Sequence, residues 1–450
     1  MKKIKYFLIV LLSILLGLAA WAGITPAYIT SAPAVAAGIG AKLLCSSHYV
    51  SGFSREQSFD DLVQYSPLLE YLSIDYNEQE RAVSTSFFRM APTTATYIPG
   101  LGCAVSYPGY EQRHNYEVTT PSVLASLWPH GNRVPAPDPS LQALLQDIVE
   151  RDNRQGLNTR ALLVVRDGQV SAEVYAQGAG PDTPLLGWSM AKSLVSIMIG
   201  NLQLREEVSI EDSQLFSPWQ QDGRADIQLG HLLTMTDGLD FSERYNPGDD
   251  ATAMLFTAPS VSDYAMARPL QQEPGTVFNY SSGTANLLSR YYFETVGGTL
   301  QASYEDYRQN ILGPMGFQHS VFEVDASGVF VGSSYFYASA RDWARLGQLM
   351  LNRGVLNGHR IVSAEWVEAS MQPNGSGNNK AYGYQWWLNR GNQRLRWPDL
   401  PVDAFAAQGN RQQSVMVIPS ENLVIVRLGW TAGGYPANSR FAEIVQQASL

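Results

Sequence analysis

The chain has 450 residues, 45% of them hydrophobic, and a formal charge of −10. That is enough apolar material for a substantial core and for two or three units of ~100–200 residues, which excludes a disordered chain or a coiled coil. Only 16% of residues are Asp, Glu, Lys or Arg, against roughly 25% in average globular chains, and the acidic balance disfavours nucleic acid or an anionic membrane surface as a partner.

Met1-Lys-Lys-Ile-Lys, an apolar run from Tyr6 to Leu18, and Ala20-Trp21-Ala22 before Gly23 read as an export leader with a small-x-small cleavage site. Removing residues 1–22 takes away Lys2, Lys3 and Lys5 and no acid, so the charge falls from −10 to −13 and three lysines remain, Lys42, Lys192 and Lys380. The expected location is periplasmic or secreted. Because the run approaches the ~20 residues of a spanning helix, an uncleaved inner-membrane anchor is the second reading, and the only membrane partner expected.

Residues 23–127 form an N-terminal extension. Seven prolines, from Pro26 to Pro121, punctuate short strand-like pieces, and the one longer helical pattern covers 58–72. Both cysteines, Cys45 and Cys103, fall here, and an even pair in an exported protein predicts a disulfide. The extension shows no site of its own and reads as a structural wrap.

From about Trp128 to Leu450 the pattern is regular. Residues 141–149 have helical spacing, and 161–165, an Asp167-Gly168 turn and 170–175 make a hairpin. Helical periodicity covers 227–236, 284–295, 304–312 and 340–352. A strand over 414–418, a turn over 419–422, a strand over 423–428 and a helix over 437–447 close the chain. Strands from both ends with a helical insert between them predict an α+β fold, an antiparallel sheet flanked by helices beside a helical subdomain. The cleft between the two is the expected site.

The insert opens with Gly187-Trp188-Ser189-Met190-Ala191-Lys192-Ser193 and continues with Leu194, Val195, Ile197, Met198 and Ile199. A helix apolar around its circumference is buried. Ser189 and Lys192, three residues apart, share a face at the positive end of the helix dipole. A serine hydroxyl is inert at neutral pH until a neighbour accepts its proton, and a desolvated lysine has its pKa lowered toward that task. In a chain nearly free of lysine, one lysine in the most apolar helix is costly without a purpose. Further on, Tyr280 and Ser282 bracket the turn before the 284–295 helix. A phenol near a lysine ammonium is expected to have a depressed pKa and to carry a proton between nucleophile and leaving group.

The six histidines show no metal-ligand spacing, and neither a Gly-x-Ser-x-Gly elbow nor a phosphate-binding glycine loop is present. No metal and no cofactor are expected. His231 reads as a satisfied core residue and the acids at 206, 207, 211 and 212 as a solvated face. Trp386-Trp387 reads as core packing or as a stacking platform.

Ser189-x-x-Lys192, Tyr280-x-Ser282 and the runs 227–239, 338–345 and 382–387 together resemble the serine hydrolases related to class C β-lactamases, penicillin-binding proteins and D-aminopeptidases. Within them, the branch of 6-aminohexanoate-dimer hydrolase and short-chain carboxylesterases is most similar. The resemblance covers 128–450 and implies a β-lactamase/transpeptidase-like fold. It makes Ser189 the acylated nucleophile, Lys192 its proton partner and Tyr280 the general base and acid, with Ser282 in the place of a usual Asn. The family's third motif, Lys-Thr-Gly or His-x-Gly on an edge strand, falls on Asn410-Arg411-Gln412. In a strand, Asn410 and Gln412 would face substrate while Arg411 points away. The implied oxyanion hole is the backbone N–H of Ser189 and of Gln413. The implied reaction is two-step acyl transfer from a small amide or ester. Two alternatives stand beside it, a non-catalytic binder of cell-wall peptide or glycan and a true class C-type β-lactamase.

Overall fold

The computed structural model describes residues 25–110, 117–118 and 124–450, so the leader over 1–22 lies outside the described residues. The first element is a 24-residue helix, α1 (Pro26–Tyr49), where the prolines suggest only short pieces. Thr25 caps it by accepting from the Tyr28 N–H, and Pro26 sits in the first turn, where its missing N–H costs nothing. Residues 35–46 are buried almost without interruption, which leaves no helical period to read. Small residues let the helix lie flush. A Cβ at Gly38 would sit 2.1 Å from the Phe256 carbonyl oxygen, and one at Gly40 would sit 2.7 Å from Leu72. By length and composition α1 could cross a membrane, but here its central and C-terminal turns are packed inside the protein.

The helix expected over 58–72 is instead α2 (Arg55–Val63) and a 3-10 turn, Pro67–Tyr71. Pro67 lacks the N–H needed to continue the helix. An antiparallel meander follows in the order β1 (Leu72–Asn77), β2 (Ala82–Phe87), β3 (Met90–Ile98), β4 (Gly102–Val105). It packs on α1, and the Cys45–Cys103 disulfide ties helix to sheet with Cα atoms 6.0 Å apart. Beneath it Lys42 donates to the Glu323 carboxylate, and both are buried. Glu323 also accepts from Ser46 Oγ and the Cys103 N–H, both at 2.7 Å. Two oxygens with three donors satisfy a carboxylate that would otherwise be very costly at this depth.

The rest of the chain runs α3 (Pro139–Arg154), β5 (Thr159–Arg166), β6 (Gln169–Tyr175), β7 (Leu185–Leu186), α4 (Ala191–Leu204) and α5 (Ser282–Thr295). It continues through β8 (Ser320–Phe322), β9 (Phe336–Ala338), α6 (Ala340–Leu351), β10 (Trp387–Leu388), β11 (Phe405–Gly409), β12 (Gln413–Ile418), β13 (Leu423–Gly429) and α7 (Ala437–Ala448). Six strands form an antiparallel sheet in the order β10-β11-β12-β13-β5-β6, so the two chain ends meet where Leu163 pairs with Val426. Alternate residues serve opposite faces. Leu162, Val164, Met416 and Ile425 pack under α3 and α7 with Leu145 and Phe441, whereas Leu163, Val165, Val415 and Val424 face α6 and the large core. Burial on both faces explains the nearly unbroken apolar strands.

The expected helix over 227–236 narrows to Leu229–Leu233, and that over 304–312 becomes Leu300–Tyr307 followed by a π turn. The result is the expected α+β arrangement, an antiparallel sheet flanked by helices, with an N-terminal helix before it.

Candidate active site

Ser189 occupies a single 3-10 turn, Trp188–Met190, that feeds directly into α4. The turn is tight. Trp188 has φ of +49°, a left-handed conformation that costs a bulky residue about 1–3 kcal/mol and persists where its surroundings over-determine it. A Cβ at Gly187 would collide with the Trp343 ring at 2.1 Å. These contacts hold the Ser189 hydroxyl at the head of a buried helix.

Lys192 is 1% exposed. Its Nζ donates to Ser189 Oγ at 2.9 Å, to Ser282 Oγ at 3.2 Å and to the Ser333 carbonyl at 2.9 Å, so every ammonium proton has a partner. Burial pulls its pKa down to about 8, with the Glu243 carboxylate acting in the opposite direction. Lys192 therefore gives up its proton at a lower pH than an exposed lysine does.

Tyr280 brings its hydroxyl to Ser189, and its ring centroid lies 4.9 Å from Lys192 Nζ. The depressed phenol expected from the sequence is not found. Burial pushes Tyr280 above its usual range and the charge of Glu243 adds to this, while the contact with Ser189 and the Arg396 cation act against it. Desolvation outweighs the Ser189 contact and the Arg396 cation, and the phenol keeps its proton at neutral pH.

Ser282 opens α5. Its Oγ accepts from Lys192 and donates to Glu243 Oε1 at 2.6 Å, and its N–H donates to Glu243 Oε2 at 2.6 Å. Tyr245 adds a third bond to Oε1, at 2.9 Å. Sequence reasoning missed Glu243, which sits in an ordinary loop run, Phe241-Ser-Glu-Arg-Tyr245, at no recognisable spacing from either motif. A buried lysine's need for an anion within reach is the signal that could have prompted the search.

The third motif departs from expectation. Residues 410–412 are not on a strand but form the turn joining β11 to β12, and Arg411 (φ +57°) and Gln412 (φ +67°) are both left-handed. Two such residues reverse the chain, so alternation of faces does not apply. The Asn410 side chain accepts from the Arg411 N–H, and the Gln412 amide donates to the Gly433 carbonyl at 2.7 Å. Among the described residues neither side chain bonds to Ser189, Lys192 or Tyr280. Arg411 is buried, its guanidinium 3.8 Å over the Tyr65 ring. Fully buried Arg427, drawn down to about 10 by desolvation, donates to the carbonyls of Arg411 and Gln412 and fixes the turn.

Gln413 starts β12 opposite Gly409, and its side-chain amide bridges to both the N–H and the carbonyl of Gly429. Gly409 is a second residue the sequence did not single out. A Cβ there would lie 2.0 Å from the Gly187 carbonyl oxygen, so the end of β11 presses against the nucleophile turn. Trp386 is core, whereas half-buried Trp387 stacks on Tyr280 at 5.2 Å and 24°. His231 accepts from the Gln228 N–H in a helix cap, as a satisfied structural residue. A hydroxyl, a lysine 2.9 Å away whose pKa burial lowers, and a protonated phenol on the same hydroxyl can remove one proton and return another.

The β-lactamase family model matches residues 141–448. A 6-aminohexanoate-dimer hydrolase from Paenarthrobacter ureafaciens is 27% identical over 300 residues, which span 60% of this chain and 72% of that protein. Among solved structures, EstCE1, a hydrolase with promiscuous acyltransferase activity, aligns with a TM-score of 0.56 at 16% identity over 69% of this chain and 98% of its own. The octameric penicillin-binding protein homologue from Pyrococcus abyssi aligns with a TM-score of 0.51 at 18% identity over 68% of this chain and 76% of its own. With about two thirds of its length matched and its sheet and helices in the same arrangement, the chain belongs to the β-lactamase family and is a hydrolase.

Proposed function

We propose that this protein cleaves small open-chain amides or esters through an acyl-enzyme on Ser189. The observation that carries the reading is the Lys192 Nζ–Ser189 Oγ contact of 2.9 Å inside a site that lowers the lysine to about 8. Neutral Lys192 takes the hydroxyl proton as Oγ attacks the carbonyl carbon. The backbone N–H groups of Ser189 and Gln413 receive the oxyanion. Tyr280, still protonated, gives its proton to the departing nitrogen or oxygen, and the proton held by Lys192 restores the phenol. Water then repeats the sequence on the acyl-serine and releases the acid. Lys192 is thus the base and Tyr280 the acid of the first step.

A lactamase needs a cation and a glycine where this chain has Asn410 and Gln412. We expect open-chain substrates to exceed penicillins and cephalosporins by at least ~10-fold in kcat/KM, or about 1.4 kcal/mol of transition-state binding. The disulfide suits an oxidising compartment, and with the leader it supports a periplasmic or secreted location. Residues 23–127 serve as a structural wrap on the 128–450 hydrolase unit.

Intact-mass analysis with a fluorophosphonate probe tests the assignment. The wild type should gain one adduct and Ser189→Ala none, with circular dichroism unchanged and turnover of p-nitrophenyl acetate and of a linear amide dimer lost. Undiminished turnover in Ser189→Ala would sink the nucleophile. Failure of the wild type to label or turn over would instead support a non-catalytic binder, and a nitrocefin constant above both other substrates a β-lactamase.

A further inference from the structure

Tyr65 lies in the N-terminal extension, outside the 141–448 stretch that matches the family, yet it touches both turns that carry the proposed oxyanion donors. Its ring centroid lies 6.1 Å from that of Trp188, edge to face, and the Arg411 guanidinium sits 3.8 Å over the same ring. Trp188 is the residue before Ser189, and Arg411 stands two before Gln413. Trp430, just after β13, closes the group at 5.9 Å from Tyr65 and 6.4 Å from Trp188. A short tether holds Tyr65 there. Asp61 in α2 takes two bonds from Arg160 Nη2, at 2.6 and 2.8 Å, and its carbonyl accepts from Trp430 Nε1 at 2.9 Å.

Both turns need outside support. Trp188, Arg411 and Gln412 have φ of +49°, +57° and +67°, conformations that a residue other than glycine keeps where its surroundings over-determine it. The turns press on each other directly where Gly409 meets the Gly187 carbonyl. A single contact is a pivot, and it leaves the angle between the turns free. The Tyr65 ring supplies a second contact, to Trp188 on one side and Arg411 on the other. Its hydroxyl faces Arg411 and Trp188 but completes no hydrogen bond with either, so the ring does the holding. Arg411 Nε is likewise buried without a hydrogen-bond partner, and stacking on Tyr65 and Trp430 fixes the guanidinium.

We propose that Tyr65 is a positioning residue that sets the spacing of the Ser189 and Gln413 N–H groups, so that the N-terminal extension completes the oxyanion hole. The proposal rests on the Ser189 acyl-transfer reading and gives residues 23–127 a second task beside that of a wrap. A displacement of about 1 Å is enough to cost roughly 100-fold in rate. The loss falls on tetrahedral states, whose oxygen carries the charge that those donors meet. Ser189 and Lys192 are one helical turn apart and keep their 2.9 Å contact, so proton transfer to the lysine is not what the ring controls.

Phenylboronic acid, which forms a tetrahedral adduct on a serine hydroxyl, reads the hole without turnover. Tyr65→Ala should lower kcat on p-nitrophenyl acetate by at least ~30-fold and raise the boronate Ki by a similar factor, with KM and the pH midpoint of kcat/KM unchanged. Tyr65→Phe, which keeps the ring, should stay close to wild type in each measure. Tyr65→Leu fills the space without a π face for the guanidinium. It should fall between the two, and it carries the comparison if the Ala variant does not fold. Ile98→Ala, a truncation of a buried residue in β3, should lower the melting temperature and leave kcat and Ki alone. Wild-type kcat and Ki in the Ala and Leu variants, a loss in Tyr65→Phe equal to that in Tyr65→Leu, or a matching loss in Ile98→Ala overturns the proposal, provided that fluorophosphonate still labels Ser189 of the wild type. A wild type that takes neither the phosphonate nor the boronate overturns the acyl-transfer reading with it.

Discussion

Replacing Glu243 with Gln removes one charge while keeping the side chain's size, and the chain Lys192–Ser282–Glu243 transmits the change to the base. Hydrogen bonds of 3.2 and 2.6 Å separate Nζ from Oε1, which places the two charges within about 6 Å. At an effective dielectric of about 20 that pair interacts by roughly 3 kcal/mol, and the partly exposed position of Glu243 screens it toward half that value. Lys192 sits at about 8 because burial lowers it further than Glu243 raises it. Acylation requires neutral Lys192, so kcat/KM should rise with pH through about 8 and then level off. Without the carboxylate, burial acts with less opposition, and the midpoint should fall by about 1 to 2 in pH. The assay is kcat/KM for p-nitrophenyl acetate from pH 5.5 to 10, in wild type and Glu243→Gln, fitted for midpoint rather than height. A midpoint that stays or rises in the variant would refute the electrostatic link. A wild-type midpoint above 10 would make the Tyr280 anion the base instead.

Tyr280→Phe should lower amide turnover by two or more orders of magnitude, the worth of a positioned proton donor. It should spare p-nitrophenyl esters far more, since p-nitrophenolate leaves without a proton, and equal losses on both would remove Tyr280 from leaving-group protonation. Gly409→Ala forces a methyl group into the Gly187 carbonyl, and the resulting shift of the nucleophile turn should cost ~100-fold in kcat and about 1–3 kcal/mol in stability. Wild-type kinetics in that variant would show that β11 does not set the turn. Lys42→Met strands Glu323 in the core, and urea denaturation should show a loss of about 3–5 kcal/mol, whereas a loss below 1 kcal/mol would mean that water reaches the carboxylate.

The legible parts of the sequence are those where local chemistry and burial agree. The 161–175 hairpin and the 414–428 strand pair announce themselves by their turns and apolar runs, and they form β5, β6, β12 and β13. Lys192 stands out because a lysine among Leu, Val, Ile and Met residues needs a reason, and Ser189 and Ser282 supply its partners. Helix α1 was opaque for the opposite cause, since burial on all sides erases the period and its glycines and Pro33 imitate a loop. The 410–412 turn reads as strand in the sequence because left-handed residues other than glycine leave no mark in the chain. The sequence points the Tyr280 shift in the wrong direction because a nearby cation is visible in a motif and desolvation is not. Glu243 and Arg396 reach the site from loops, where only the folded chain brings them beside Ser282 and Trp387.

Lys42 and Glu323 are partners separated by 281 positions, and Tyr65 supports Arg411 across a comparable span. A ribosome delivers the apolar helix and its lysine early, long before the carboxylate that neutralises them exists. Until residue 323 has emerged, Lys42 lacks the carboxylate that neutralises it beneath the Cys45–Cys103 crosslink. The same dependence governs truncation. A fragment trimmed to the 141–448 region would leave Glu323 without Lys42, Ser46 and the Cys103 N–H, and Arg411 without the Tyr65 ring, so cutting away the leading segment strands a buried carboxylate and a buried guanidinium at once.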